Sequence, residues 1–223
     1  MITYEEVLKC LYEHEDKQYR DFHKKLLKNE AVNVIGVRMP QLRKFSKAWK
    51  GEWKTILTFP NEYYEVTFLK CAVVGMLPFE KFCEEVDGVV ALLDNWATCD
   101  CFAAPCIAKH KEEFLPYIEK YLASGKEFTR RFGLVTLLHY YVEEKYLPLI
   151  LESVQGACGG EYYVMMAAAW LLAEVLVKYY EAGRDFLKEG TLTKEVQNKA
   201  IQKARESYRL SAEQKSELSA LKK

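Results

Sequence analysis

Apolar positions recur at three- and four-residue steps along almost the whole chain, and no segment sustains a strict apolar–polar alternation. That period lines up one face of an α-helix, whereas a half-buried strand needs a period of two. It predicts helices over residues 4–13, 16–27, 39–50, 52–57, 61–75, 79–85, 88–101 and 102–110. The pattern continues with helices over 113–123, 128–142, 146–154, 162–182, 186–189, 194–206 and 212–221. Pro60, Pro78, Pro105, Gly125, Gly183 and Gly190 fall at joins, where these residues end or start helices. The most strand-like run, Ala31-Val32-Asn33-Val34-Ile35, is brief and has no pairing partner, so it is read as a loop. The stretch 162–182 is apolar on nearly every side, which predicts a central, buried helix.

Many short helices with tight connections predict an all-α fold, an α-solenoid of HEAT-like repeats in which stacked helix pairs share one core. An irregular helical domain is the plainer alternative. No long linker divides the chain, and residues 156–160 are too few to separate domains, so a single domain over 1–223 is expected. Thr3 and Glu6 have the spacing of a capping box, with no apolar signal segment before them. Seven cysteines, an odd number and several inside apolar helical runs, argue against a disulfide framework. The longest apolar stretch, residues 164–177, is too short for a bilayer. A cytoplasmic monomer with no membrane partner is therefore expected. Lysine plus arginine equals aspartate plus glutamate, for a net charge of zero. Nucleic-acid binding usually leaves a basic excess, although a basic groove balanced by acidic outer faces gives the same total.

Candidate chemistry centres on Trp96 and Asp100, four positions apart and so on one helical face. A buried tryptophan beside a salt-bridged aspartate is the plain alternative. Arg130 and Arg131 open an apolar helix, either as a solvated helix start or as a phosphate clamp. Trp170 follows Ala167, Ala168 and Ala169 in the buried stretch and reads either as a core residue or, given those small neighbours, as the wall of a cleft. Asp100 to Arg131 is about 31 positions and Arg131 to Trp170 about 39, both near the length of known helical repeats. In a solenoid such residues project from equivalent places on neighbouring units, so Trp96, Asp100, Arg131 and Trp170 are expected to converge on one concave surface.

Trp96-x-x-x-Asp100, then Arg131, then Trp170, together with Gly36-Val37-Arg38-Met39-Pro40, resemble the DNA alkylation repair family of HEAT-repeat DNA glycosylases, the AlkD-like proteins. The resemblance covers most of the chain. It implies removal of N3- or N7-alkylated purines from duplex DNA, without a cofactor. It also implies Asp100, Trp96 and Trp170 as the catalytic residues, with Arg131 and its neighbour Arg130 on the DNA backbone. A noncatalytic DNA-binding module and a protein-interaction scaffold are the alternatives. Cys99, Cys101, Cys106 and His110 invite a zinc reading, but there is no C-x-x-C pair or second ligand cluster, and no metal is expected. No glycine-rich phosphate loop follows a strand, so nucleotide binding has no support.

Overall fold

Capping at the first helix follows the sequence signal. Thr3 accepts from the Glu6 amide, and the Glu6 carboxylate accepts from the Thr3 amide, which satisfies two donors of the first turn. The computed structural model of the chain describes residues 2–27 and 29–223. The regular structure of the described residues is all helical, without strands. Among the described residues the only bridge is an isolated antiparallel pair, Glu15 with Val37. Among them no helix is long and apolar enough to cross a membrane.

The chain divides into two compact units, Met1–His110 and Lys111–Lys223. The first carries α1 (Tyr4–Tyr12), α2 (Lys17–Leu27), α3 (Met39–Ala48), α4 (Trp53–Leu57), α5 (Tyr64–Gly75), α6 (Phe79–Val90) and α7 (Trp96–Cys101). The second carries α8 (Lys111–Leu122), α9 (Glu127–Tyr140), α10 (Leu147–Gly156), α11 (Tyr162–Lys178), α12 (Tyr180–Lys188), α13 (Lys194–Glu206) and α14 (Ala212–Ala220).

In the first unit α5 is the hub, packed by α3, α4, α6 and α7. Eleven of its twelve residues are buried, including Glu65 and Lys70. A charge in such a place must find partners or neutralise. Glu65 accepts three backbone N–H groups from the preceding loop: Ile35 at 3.0 Å, Gly36 at 2.7 Å and Val37 at 3.2 Å. Burial pushes its carboxyl above the ordinary range, and these three donors pull it back. Lys70 donates to the Phe59 carbonyl and, at 2.7 Å, to Asn61 Oδ1, fastening the chain after α4 onto α5. Burial lowers its pKa.

Two glycines permit this packing. Gly36 has φ of 102°, and a Cβ there would lie 2.6 Å from Arg20 Cβ and 2.7 Å from the Asp16 carbonyl oxygen. At Gly75 a Cβ would stand 2.1 Å from the Ala103 carbonyl oxygen, so only glycine lets the segment after α7 lie against α5.

In the second unit α11 is the hub, against α9, α10, α12 and α13, as its all-round apolar sequence predicts. The side-chain ties here share a sequence offset. Arg131 reaches Tyr163 across 32 positions, Arg130 reaches Glu161 across 31, and Tyr141 reaches Lys111 across 30. Tyr146 meets Glu112 across 34 and Arg209 meets Glu174 across 35. Offsets clustered near one repeat length are the signature of stacked helical repeats. Arg131 lies beside Tyr163, and eight residues on His139 lies beside Trp170, so α9 and α11 run parallel.

Several predicted boundaries move. The helix predicted over 88–101 does not form as one piece: α6 runs through Gly88 to Val90, and the chain restarts at Trp96. Asn95 causes the restart, since its side chain caps the new helix by accepting from the Thr98 amide. The helix predicted over 162–182 ends at Lys178, and Tyr180–Lys188 forms a separate helix that absorbs the predicted 186–189 segment. Residues 102–110 hold only a 3-10 turn, Pro105–Lys109.

Candidate active site

α7 is six residues long, and its cap organises it. Asn95 is almost wholly buried, and its amide donates to Asp94 Oδ1 at 2.7 Å and to Thr98 Oγ1 at 3.1 Å while its carbonyl takes the Thr98 N–H. Ala97, Thr98 and Cys99 point into the core. Trp96 and Asp100, one turn apart, are half-buried on the remaining face. Cys99, next to Asp100 in sequence, is fully buried and so belongs to the packing.

Trp96 is tethered at its edge. Its Nε1 donates to the Leu26 carbonyl at the end of α2, 3.3 Å away. Asn29, just past α2, donates from Nδ2 to the Asp94 carbonyl at 3.1 Å. α2 and the start of α7 are thus bolted together at two points. On the C-terminal side, Arg43 from α3 hydrogen-bonds the Cys101 thiol. Burial raises that thiol's pKa, and the guanidinium partly offsets the rise. The Glu65 clamp belongs to the same assembly. It holds residues 35–37, and the Tyr64 amide next to it donates to the Asn33 carbonyl at 2.8 Å, which fixes the loop that begins at Asn29.

Arg130, Arg131 and Trp170 lie in the second unit. Arg131 is 6% exposed, and its Nη1 donates to the Tyr163 carbonyl at 2.6 Å. Glu127, one turn earlier on α9, accepts from the Tyr163 amide at 2.9 Å, so the two side chains clamp both polar groups of one peptide unit each side of Tyr163. Arg130 pairs with Glu161 at 2.9 Å and donates to the Gly156 carbonyl at 3.3 Å, with 20% of its side chain exposed. Both arginines therefore fasten the 156–163 connection. Trp170 is half-buried and meets His139 edge-on, with ring centroids 6.4 Å apart. Ala167, Ala168 and Ala169 are at most 1% exposed and serve close helix packing.

The structure thus joins Trp96 to Asp100 on α7, and sets Arg130, Arg131 and Trp170 on the adjacent helices α9 and α11. Among the described residues no group of three or more His, Cys, Asp or Glu side chains is arranged to hold a metal ion. Sequence reasoning missed Asn95, Asn29 and Glu65. Asn95 had a readable signal, an N-cap residue three positions before Thr98.

A sequence model of the family described as DNA alkylation repair enzyme matches residues 7–213. No curated protein matches the chain. The matched span takes in α7 and the helices that carry Arg131 and Trp170, and covers nearly the whole length. The chain belongs to the family of DNA alkylation repair enzymes.

Proposed function

We propose that the chain is a DNA glycosylase that excises N3- or N7-alkylated purines from duplex DNA. The observation that carries this reading is the pairing of a half-buried tryptophan and carboxylate on one capped helix, in a chain of this repair family. Alkylation makes the purine cationic. When the C1′–N9 bond breaks, its electron pair neutralises the departing base, so little acid catalysis is needed. The deoxyribose is left with oxocarbenium character. Asp100 stabilises that charge and orients the water whose oxygen bonds to C1′, while the water proton is lost to solvent. Trp96 offers its ring face to the cationic nucleotide.

Trp170 supplies a second aromatic surface to the DNA. Arg130 is the more accessible of the two arginines for a phosphate. Arg131, being nearly buried, acts chiefly by fixing the start of α11. This HEAT-like framework needs no cofactor or metal for such a reaction. Both guanidinium groups bind the protein's own carbonyls, and the net charge is zero; these two facts favour a noncatalytic DNA-binding or protein-interaction module as the second reading.

Release of 7-methylguanine from methylated duplex separates the two. The wild type should release the base above the spontaneous rate, and Asp100→Asn should lose most of that release while still binding the duplex. Wild-type release no faster than the spontaneous rate would end the glycosylase reading.

A further inference from the structure

α2 carries an apolar feature that its own packing does not explain. His23 and Leu27 form its buried side. On the solvent side Phe22 is 60% exposed and Leu26 41%, and these two are one turn apart and so form a short ridge. Single exposed apolar residues are ordinary. Here the ridge adjoins a surface hollow of about 490 Å³ lined by Lys24, Lys25, Asn29 and Glu30. Lys24 and Lys25 are exposed, and among the described residues neither has a carboxylate partner. The ridge also has a fixed relation to α7, because Leu26 accepts from Trp96 Nε1 and Asn29 donates to the Asp94 carbonyl.

We propose that this end of α2 is a DNA-contact surface. Lys24 and Lys25 neutralise backbone phosphates, and Phe22 and Leu26 pack on deoxyribose and base edges beside the nucleotide that Trp96 reaches. The inference rests on the DNA-binding part of the function proposed above. Charge selects the occupant. A second copy docked two-fold on this face would bring the same unpartnered ammonium groups together, whereas a polyanion pairs with them and outweighs the single carboxylate of Glu30. Apolar side chains set among cations are also what proteins insert or press against the minor groove.

Two surface variants separate the two kinds of contact, with circular dichroism to check that each remains folded. Duplex affinity is measured across a salt series. For Lys24→Ala/Lys25→Ala, the slope of log K against log salt should become shallower by about 2, as for two lost phosphate contacts. For Phe22→Ala/Leu26→Ala, affinity should fall about tenfold at every salt concentration with the slope unchanged. Wild-type-like binding by both variants overturns the proposal, and so does a wild type that does not bind duplex. If Phe22→Ala/Leu26→Ala instead leaves DNA binding intact and abolishes self-association in sedimentation, the face is a contact between copies. Base release is scored separately. Duplex binding with the expected slopes but no release retains this surface and removes the glycosylase reading; release unaffected by either variant does the reverse.

Discussion

Removing the Glu65 carboxylate tests how the first unit holds the loop between α2 and α3. In Glu65→Ala the Ile35, Gly36 and Val37 amides lose their acceptor, and a cavity opens in α5, where the carboxylate had no exposed surface. Hydrogen bonds to a charged group contribute about 1.5–3 kcal/mol each, and the relief of no longer burying a charge offsets part of the loss. The net cost should be about 3–5 kcal/mol. Glu65→Gln is the sharper probe. Oε1 serves Gly36 and Val37 while Oε2 serves Ile35, so an amide oxygen in the Oε1 place keeps two bonds and turns its NH2 toward the Ile35 donor. It should cost about 1–3 kcal/mol, less than the alanine. Urea unfolding gives the global values, and native-state hydrogen exchange at residues 35–37 gives the local ones. Exchange should quicken at all three amides in Glu65→Ala and most at Ile35 in Glu65→Gln. Unchanged exchange at these amides in both variants would refute the clamp.

Gly36→Ala should destabilise by about 3 kcal/mol or more, since the new methyl meets both an unfavourable φ and two atoms closer than 3 Å. Gly51→Ala, whose Cβ meets nothing within 4 Å, should shift the urea midpoint little, and equal losses at both sites would contradict the steric account. His23 is buried between Tyr19 and Tyr64 with Nε2 unpartnered, and burial lowers its pKa below 6.5. Between the lowered value and 6.5 the unfolded chain holds more protons than the folded one. Stability should therefore fall as pH drops below about 6.5, and His23→Phe should remove that part of the slope. Urea midpoints of the two proteins that stay parallel from neutral to acid pH would exclude it.

The all-helical fold was legible because its determinants are local: the apolar period marks helices such as α2, α6 and α13, the all-round apolar run marks α11, and Lys194–Glu206 matches the predicted 194–206 at both ends. The Ala31–Ile35 run, strand-like in sequence but read as a loop, is a loop, with Val32, Val34 and Ile35 buried. The Ala31 and Val32 amides turn back to Asn29, and the Ile35 amide joins those of Gly36 and Val37 on a carboxylate 28–30 positions away instead of on a neighbouring strand. That partner was hidden, because Glu65 and Lys70 in a helix sequence look like an ordinary polar face until all of α5 but Ala72 is seen to be buried too. The pairing of Trp96 with Asp100 followed from spacing, but the helix that carries them was misdrawn. Apolar periodicity runs smoothly through residues 88–101, and only the Asn95 side chain interrupts it. The arginines show the opposite limit. Their type suggested phosphate, whereas the carbonyls they hold lie 26–32 positions downstream and leave no local mark.

A six-residue helix is far below the length at which a helix sustains itself in water, because nucleation costs more than so few hydrogen bonds return. α7 therefore has almost no conformational will of its own. The orientation of Asp100 is inherited from Asn95, from α2 through Trp96 and from α5 beneath, so the carboxylate reports the condition of its surroundings. Loosening any one of these supports would blur the acid's position before the unit as a whole unfolds. Activity in such a protein would then fade at temperatures where its helical signal is still intact.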